Sequence, residues 1–175
     1  MARQLWLLRH AEAEPHGVRQ DSERRLTARG ELQARAAGGA LARFEVFFDA
    51  VLFSPKVRAR QTAELAAERW SEEQRDRMRV HAPLAGAFDA PQALAELAGL
   101  APDGRLLLIG HEPDLSTVIA ELTGARVDLK KGGLAAARLG GVGGELAILM
   151  RPRELALIAD RHGSVRAVGP PAGGD

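Results

Sequence analysis

Basic side chains directly follow two well-separated apolar segments of this chain. Residues 5–8 are followed by Arg9 and His10, and residues 106–109 are followed, after one glycine, by His111. A neutral imidazole is a competent nucleophile near neutral pH, and a guanidinium stays charged and can bind two phosphate oxygens at once. An adjacent arginine and histidine therefore favour chemistry on a phosphoryl group.

A third apolar segment, residues 50–53, is followed by Ser54, and Arg58 comes four residues further along. Short apolar segments bounded by polar residues are typical of buried strands, and in open α/β sheets ligands bind beyond the carboxyl ends of the parallel strands. We therefore expect the polar side chains at the three strand ends to lie close together and to bind an anion. The residues expected to converge are Arg9, His10, Arg58 and His111.

Helical patterns alternate with these apolar segments and indicate an α/β protein. The predicted helices cover residues 28–44, 57–70, 91–97 and 114–122, and a further strand covers residues 146–150. Thr27 precedes the first helix, and Glu31 stands near the spacing of a capping box. A glycine-rich segment separates that strand from the apolar residues 134–139, which is typical of a hairpin and hence of an antiparallel pair at a sheet edge. We expect a three-layer sandwich with a mostly parallel central sheet flanked by helices and one antiparallel edge strand.

The composition is that of an ordinary globular domain and excludes several kinds of chemistry. The 175 residues carry 24 lysines and arginines against 23 aspartates and glutamates, so the net charge of +1 gives no reason to expect nucleic-acid binding. The chain has no cysteine, which excludes disulfides, thiolate catalysis and cysteine-bound zinc. No apolar stretch approaches the roughly 20 residues that span a bilayer, and we expect a cytoplasmic protein. One domain is expected over residues 1–160, followed by a flexible C-terminal tail over residues 161–175, in a monomer or weak dimer.

Four segments together resemble the histidine phosphatase (phosphoglycerate mutase-like) superfamily, and most closely its small branch, the SixA-type phosphohistidine phosphatases. Residues 9–11, RHA, resemble the RHG signature, and residues 24–30, RRLTARG, resemble R-x-L-T-x-x-G. Residues 51–62, VLFSPKVRARQT, resemble V-L-x-S-P-x-x-R-A-x-Q-T. Residues 107–113, LLIGHEP, resemble the segment that ends in the second catalytic histidine. The resemblance covers about residues 3–155.

The resemblance implies a mechanism and the residues that carry it. His10 is the implied nucleophile and forms a phosphohistidine intermediate that water cleaves, whereas the residue types alone do not choose between His10 and His111. Arg9 and Arg58 are implied to neutralise the phosphoryl oxygens. His111, when protonated, is implied to donate to the same oxygens or to the leaving group. No metal or other cofactor is implied, and the sequence offers no convincing metal-binding cluster.

Further residues are assigned smaller parts around the same site. Arg24 is implied to extend the phosphate pocket. Ser54 is expected to cap the helix that follows the second strand or to contact the substrate. Arg60, Lys130 and Lys131 form a basic rim for an acidic partner or, as the preferred interpretation, are solvated charges.

The chain departs from the family pattern at two places. Ala11 stands where the signature has glycine, and because alanine resists positive φ the loop there needs ordinary backbone angles or carries strain. Family members that act on phosphate esters often carry a carboxylic general acid before the strand at 106–109, but residues 81–91 here hold one carboxylate, Asp89. Asp89 and Glu12 are therefore the two candidates for a general acid.

This thin supply of acids bears on the substrate. An alkoxide leaves poorly unless a positioned acid protonates it, whereas a phosphorylated imidazole takes a proton on its own ring. The sequence therefore favours a phosphatase that acts on phosphohistidine of a small phosphocarrier or phosphotransfer protein. The alternatives are a phosphomonoesterase of the same superfamily that acts on a small phosphorylated metabolite, and a non-catalytic phosphate-binding module. A mutase is less favoured, because the chain has little material for a lid that excludes water.

Overall fold

A six-stranded sheet runs through the centre of the computed structural model, which describes residues 2–141 and 143–160. The strands are β1 (Arg3–Arg9), β2 (Ala50–Phe53), β3 (Met78–Val80), β4 (Arg105–Gly110), β5 (Leu134–Leu139) and β6 (Gly144–Met150). They lie in the order β3-β2-β4-β1-β5-β6. The pairings among β3, β2, β4 and β1 are parallel, and β5 runs antiparallel to both β1 and β6.

Helices cover both faces of this sheet. They are α1 (Ala28–Arg43), α2 (Val57–Ala66), α3 (Glu72–Arg75), α4 (Ala90–Ala98), α5 (Asp114–Thr123) and α6 (Pro152–Ala159). Thr27 caps α1 by accepting a hydrogen bond from the Gly30 amide, as its residue type favours. None of the helices in the described residues combines the length and the apolar character needed to cross a membrane.

Successive residues of β1 belong to two different hydrophobic cores. Trp6 and Leu8 pack with α1, α2 and α6 on one face of the sheet, whereas Leu5 and Leu7 pack with α4 and α5 on the other. Neighbouring side chains of a strand point to opposite faces, and both faces here are covered. This is why the strand is apolar throughout rather than alternating.

The carboxyl ends of β1, β2 and β4 lie side by side at one edge of the sheet. Ile109 of β4 lies between its partners in β1 and β2. Immediately beyond the strands, the His10 amide donates to the Gly110 carbonyl at 2.9 Å, and the Ser54 amide donates to the Ile109 carbonyl at 3.0 Å. The three segments that carry the predicted site residues therefore leave the sheet together.

The mostly parallel sheet with antiparallel pairing at one edge is confirmed. The predicted hairpin joins β5 and β6, and it contributes two antiparallel pairings because β5 runs against both of its neighbours. The helix predicted at 57–70 ends at Ala66 and continues as the 3₁₀ turn Ala67–Arg69. Three of the strands and α-helices were not predicted: β3, a three-residue strand that is largely exposed, the one-turn helix α3, and α6, which starts at Pro152. The tail predicted at 161–175 lies outside the described residues.

Candidate active site

His10 lies just beyond β1 and is oriented through both of its ring nitrogens. Its Nδ1 is 2.8 Å from the carbonyl oxygen of Ala11, and because a carbonyl only accepts hydrogen bonds, Nδ1 carries the proton. Nε2 is then the unprotonated nitrogen of the neutral ring, and it accepts a hydrogen bond from Nε of Arg58 at 3.3 Å. The side chain is buried, with 5% of the residue exposed. This arrangement presents an electron pair beside a guanidinium.

His111 faces His10 across the end of the sheet. The two ring centroids are 5.1 Å apart. Nε2 of His111 lies 2.8 Å from Oγ of Ser54, while its Nδ1 is buried with no hydrogen-bond partner among the described residues. Ser54 does not cap α2 as expected, because the helix begins after Lys56 with no side-chain cap. Ser54 instead orients His111.

Burial keeps both imidazoles neutral. Loss of hydration is the main cause that lowers the pKa of His10 to about 3; the hydrogen bond to Ala11 opposes this, and the charges of Arg58 and Arg9 add to it. Burial also lowers the pKa of His111 to about 3, with a further contribution from Arg58. An imidazole is a nucleophile only through an unprotonated ring nitrogen, and the His10 ring keeps such a nitrogen at neutral pH.

Asp21 joins three cations at the mouth of this site, although the sequence analysis did not single it out. Its Oδ2 accepts hydrogen bonds from Nζ of Lys56 at 2.9 Å and from Nη2 of Arg58 at 3.2 Å. Its Oδ1 accepts from Nη2 of Arg24 at 2.9 Å. These cations, Lys56 most of all, hold the pKa of the Asp21 carboxyl far below its usual range. The one available sequence signal was spacing, since Asp21 precedes Arg24 by a single turn.

Arg9 reaches the site from the end of β1. Its Nη1 donates to the Leu129 carbonyl at 2.9 Å, and its Nε is buried with no partner among the described residues. Burial lowers the pKa of Arg9, and the carboxylates of Glu112 and Asp128 oppose this effect. A guanidinium stays charged under such a shift, so Arg9 brings a cation with an unused donor to the site.

Arg9, Arg58 and His111 line a cleft of about 670 Å³, and His10 lies buried behind Arg58. The basic residues in its wall are Arg9, Arg24, Lys56, Arg58 and Lys131. The carboxylates in its wall are Glu14, Asp21, Glu112 and Asp114. Within the part of the chain that the structure describes, no three His, Asp or Glu side chains are grouped so as to hold a metal ion. The cleft is therefore suited to an anion held by arginine and lysine.

The carboxylates of the cleft other than Asp21 are also engaged with the protein. The Glu14 carboxylate accepts a hydrogen bond from the backbone amide of Arg25, and this bond lowers the pKa of Glu14. Glu112 accepts from the amide and the hydroxyl of Ser116. Asp114 accepts from the Phe88 amide at 3.0 Å. Each of them thus acts as a hydrogen-bond acceptor in the cleft wall.

The two residues considered as general acids lie outside the cleft. Asp89 begins α4, where its side chain accepts from the Gln92 amide at 3.0 Å and the Gln92 side chain accepts from the Asp89 amide. Glu12 accepts from the Thr27 hydroxyl at 2.8 Å and lies 3.5 Å from Arg29. Asp89 is a helix cap, and Glu12 supports the start of α1. In the structure, both carboxylates accept hydrogen bonds from the protein at helix starts, and neither lines the cleft as a general acid would.

The alanine that replaces the signature glycine fits without backbone strain. Positive φ occurs at Glu45 and Ala87 among the described non-glycine residues, and not at Ala11. Ala11 is fully buried and packs with Leu26 in a small apolar cluster. Its amide donates to Oγ1 of Thr62 at 3.1 Å. The loop after His10 therefore uses ordinary backbone angles, and the added methyl group is packed.

The chain is similar in sequence to a known family and to one further protein. The family described as the histidine phosphatase superfamily (branch 1) matches residues 5–81. An uncharacterized protein of Picosynechococcus sp. is 34% identical over 144 residues, which cover 78% of this chain and 86% of that protein.

Solved structures share the fold. A structure described as the phosphohistidine phosphatase SixA from Nakamurella multipartitia aligns with a TM-score of 0.72 and 28% identity, over 87% of this chain and 97% of that chain. The protein histidine phosphatase SixA complexed with tungstate aligns with a TM-score of 0.73 and 26% identity, over 87% and 99% of the two chains. A structure described as an alpha-ribazole-5'-P phosphatase from Escherichia coli aligns with a TM-score of 0.70 and 21% identity, over 87% and 98%. This last likeness is one of fold.

Proposed function

This chain belongs to the histidine phosphatase superfamily, and we propose that it is a phosphatase that removes the phosphoryl group from a phosphohistidine of another protein, through a phosphohistidine intermediate on His10. The observation that carries the proposal is the pair of contacts on the His10 ring. Ala11 holds the proton on Nδ1, and Arg58 faces the electron pair on Nε2. The nucleophile is thus neutral, oriented and next to a cation that binds phosphoryl oxygens.

In the first step, Nε2 of His10 attacks phosphorus and the bond from phosphorus to the substrate imidazole breaks. Arg9 and Arg58 neutralise the charge on the equatorial oxygens. The substrate ring, already protonated on its other nitrogen, leaves as a neutral imidazole. The phosphorylated His10 ring keeps its proton on Nδ1, which still donates to the Ala11 carbonyl, so no proton has to be supplied by the protein.

In the second step, water attacks the phosphorus of phosphorylated His10 and the bond from Nε2 to phosphorus breaks. Both hydrogens of the water leave with the phosphate as H₂PO₄⁻, and His10 returns to its neutral form. The atoms and charges of the cycle balance without a metal or a second substrate.

His111 is suited to donate a hydrogen bond to the phosphoryl group while it stays neutral. Ser54 Oγ accepts from the Lys56 amide, so its hydroxyl proton is available to Nε2 of His111. When that hydroxyl donates to Nε2, the His111 proton lies on Nδ1, the nitrogen without a partner among the described residues. This assignment removes the need for the protonated His111 that the resemblance implies.

The carboxylates of the cleft support phosphohistidine as the substrate class. Asp21 is held as an anion by its three cations, and Glu112 and Asp114 accept hydrogen bonds from the protein. An ester needs an acid that protonates its leaving oxygen, whereas a phosphorylated imidazole does not. The cleft therefore suits a leaving group that brings its own proton.

A side-by-side turnover assay tests the proposal. We expect faster hydrolysis of a histidine-phosphorylated phosphotransfer domain than of a panel of phosphate monoesters. The variant His10→Asn is expected to lose turnover at least about 10³-fold, because the nucleophile is gone. Wild-type phosphoenzyme, trapped without acid, is expected to carry phosphate on His10. Faster hydrolysis of an ester would overturn the substrate class, and absence of both turnover and phosphoenzyme would indicate a non-catalytic phosphate-binding module.

A small phosphorylated metabolite is the second candidate substrate. A cleft of about 670 Å³ lies within the range of about 300–1,000 Å³ that small-molecule sites occupy. Since Asp89 lies outside the cleft, the acid for such a substrate would come from Glu112 or Asp114. An ester activity abolished by Glu112→Gln or Asp114→Asn, and unchanged by Asp89→Asn, would favour this candidate.

A further inference from the structure

A second groove, of about 610 Å³, lies between the first two turns of α1 and those of α6, beside the cleft. It is termed the basic groove, because six basic side chains line it against one carboxylate, that of Glu12. The six are Arg9, Arg29, Lys130, Lys131, Arg151 and Arg153. The chain as a whole is almost neutral, with a net charge of +1. The positive charge of the basic groove is therefore local and does not reflect the average charge of the chain.

The charge of the basic groove is only partly compensated. Arg29 lies near Glu12, Lys130 near Asp128 and Arg153 near Glu154. The other three basic side chains of the groove have no carboxylate within 4 Å among the described residues. They are Arg9, Lys131 and Arg151. The groove thus attracts an acidic surface from outside the chain.

Apolar side chains share the wall of the basic groove with the cations. Leu32 of α1 is 67% exposed, and Ala36, Pro152 and Ala156 line the groove with it. Exposed apolar side chains next to charged ones are typical of protein–protein interfaces. A buried site for a small anion would enclose its cations instead, whereas the side chains of Arg29 and Arg153 are 76% and 78% exposed.

The basic groove is next to the cleft. Arg9 and Lys131 line both of them. A phosphoryl group bound by Arg9 in the cleft would therefore bring the surrounding part of a large substrate close to the basic groove. The two volumes together exceed what a small phosphorylated metabolite fills, so the groove suits the surface that surrounds a phosphohistidine on a protein.

We propose that the basic groove docks the phosphoprotein substrate, by contacting acidic side chains and one apolar side chain next to its phosphohistidine. This inference rests on the proposed function and adds a recognition element to it. The cations steer the acidic surface toward the cleft and hold it there, and Leu32 contacts the apolar side chain. The chemistry on His10 needs none of the exposed groove arginines, so docking and catalysis are separable.

Two phosphohistidine peptides of equal length test this proposal. One carries Asp and Glu on both flanks of the phosphohistidine together with one Leu, and the other carries Ser and Gln at the acidic positions. We expect the wild-type protein to favour the acidic peptide in kcat/KM by about fivefold or more. The variant Arg29→Gln/Arg153→Gln is expected to reduce this preference about threefold. A matched variant, Arg75→Gln/Arg138→Gln, removes the same charge from exposed sites outside both cavities and is expected to keep it.

Salt gives an independent measurement on the unmodified protein. The preference for the acidic peptide is expected to fall toward one as salt rises from about 0.05 M to 0.5 M, because screening weakens contacts between exposed charges. An equal loss of preference in both double variants, or no preference in the wild type, overturns the docking proposal while leaving the phosphatase intact. Failure to hydrolyse either peptide, with hydrolysis of a phosphate ester, overturns the proposed substrate class and the docking proposal together.

Discussion

At the scale of the residue, one hydrogen bond decides which nitrogen of His10 can react. The Nδ1–H group of His10 donates to the Ala11 carbonyl at 2.8 Å, so the electron pair lies on Nε2 and faces Arg58. Burial then prevents protonation of that electron pair, since it disfavours the charged ring. The reactivity assigned to His10 thus comes from its immediate surroundings rather than from imidazole chemistry alone.

The lowered pKa values of the two histidines predict an unusual pH dependence of kcat/KM. The pKa of His10 and that of His111 both lie at about 3, below the ordinary value of 6.5. The neutral form is the active one, so acid inactivates only when pH approaches the lowered value. We expect kcat/KM, corrected for titration of the substrate's phosphate group and of its imidazole ring, to stay level as pH falls through 6.5. A loss of activity centred near 6.5 that the substrate does not explain would contradict this expectation.

Asp21 predicts an effect on anion affinity. Its carboxylate occupies donors of Arg24, Lys56 and Arg58 and repels an incoming phosphate. In Asp21→Asn that charge is removed, and one interaction between like charges at the cleft surface amounts to about 1 kcal/mol. Orthophosphate is therefore expected to inhibit about fivefold more strongly, as measured by its competitive inhibition constant.

The control variant is Glu23→Gln, which removes an exposed carboxylate two residues after Asp21 and is expected to leave the inhibition constant of orthophosphate unchanged. Weaker inhibition in Asp21→Asn would show that the carboxylate acts mainly by positioning the arginines.

At the scale of the element, the start of α1 is pressed against the loop that follows β1. A Cβ built on Gly30 would lie 1.9 Å from the carbonyl oxygen of Glu12, two residues after His10. The Glu12 carbonyl also accepts from the Thr27 amide. Packing therefore explains the glycine at this place in the R-x-L-T-x-x-G segment, because any side chain there would push α1 away from the loop that follows His10.

Gly30→Ala is expected to damage both stability and activity. The new methyl group must displace the loop, and such overpacking lowers the free energy of unfolding by about 1–3 kcal/mol. Displacement of His10 is expected to lower kcat/KM by about tenfold or more, since positioning errors of this size are costly. Denaturant unfolding and steady-state kinetics measure the two effects. In Gly99→Ala the new Cβ meets its nearest neighbour at 3.5 Å with φ at −73°, so this control is expected to be neutral or slightly stabilising. Equal behaviour of the two variants would contradict the packing argument.

At the scale of the whole molecule, the site imposes a cost on folding. The site holds the two neutral imidazoles of His10 and His111 near basic side chains, and both have folded-state pKa values below the ordinary 6.5. Below that pH the unfolded chain binds more protons than the folded chain. The free energy of unfolding is therefore not reduced by these two histidines above pH 6.5, and it decreases as pH falls from 6.5 toward 3.

This linkage predicts a Tm that falls as pH is lowered from about 7 to 5, above the range in which ordinary carboxyl groups titrate. Differential scanning calorimetry measures it. His111→Gln removes one of the two buried imidazoles and is expected to flatten the decrease in Tm, whatever its effect on the absolute value. The same slope in wild type and variant would contradict a contribution from His111.

Local patterns in the sequence determined the strands, their buried character and the polar residues at their ends. An apolar run between polar residues is enough to indicate a strand that is covered on both faces, and parallel strands bring their carboxyl ends to one edge. The Thr27 cap was also predictable, because a helix cap involves neighbours in sequence. The strand β3 was not predicted because it is only three residues long and largely exposed, so it shows no periodic pattern of apolar residues.

Tertiary structure alone decided the contacts between segments that are distant in the chain. It placed the Ser54 hydroxyl against His111 as well as against the Lys56 amide. It set Asp89 at the start of α4, away from the cleft, and it joined Asp21 to Lys56, Arg24 and Arg58. It also gathered the residues of the basic groove from β1, α1, the segment before β5 and the start of α6. The physical reason is that residue types and spacing specify which groups a chain offers, whereas distances between segments arise only when both cores pack.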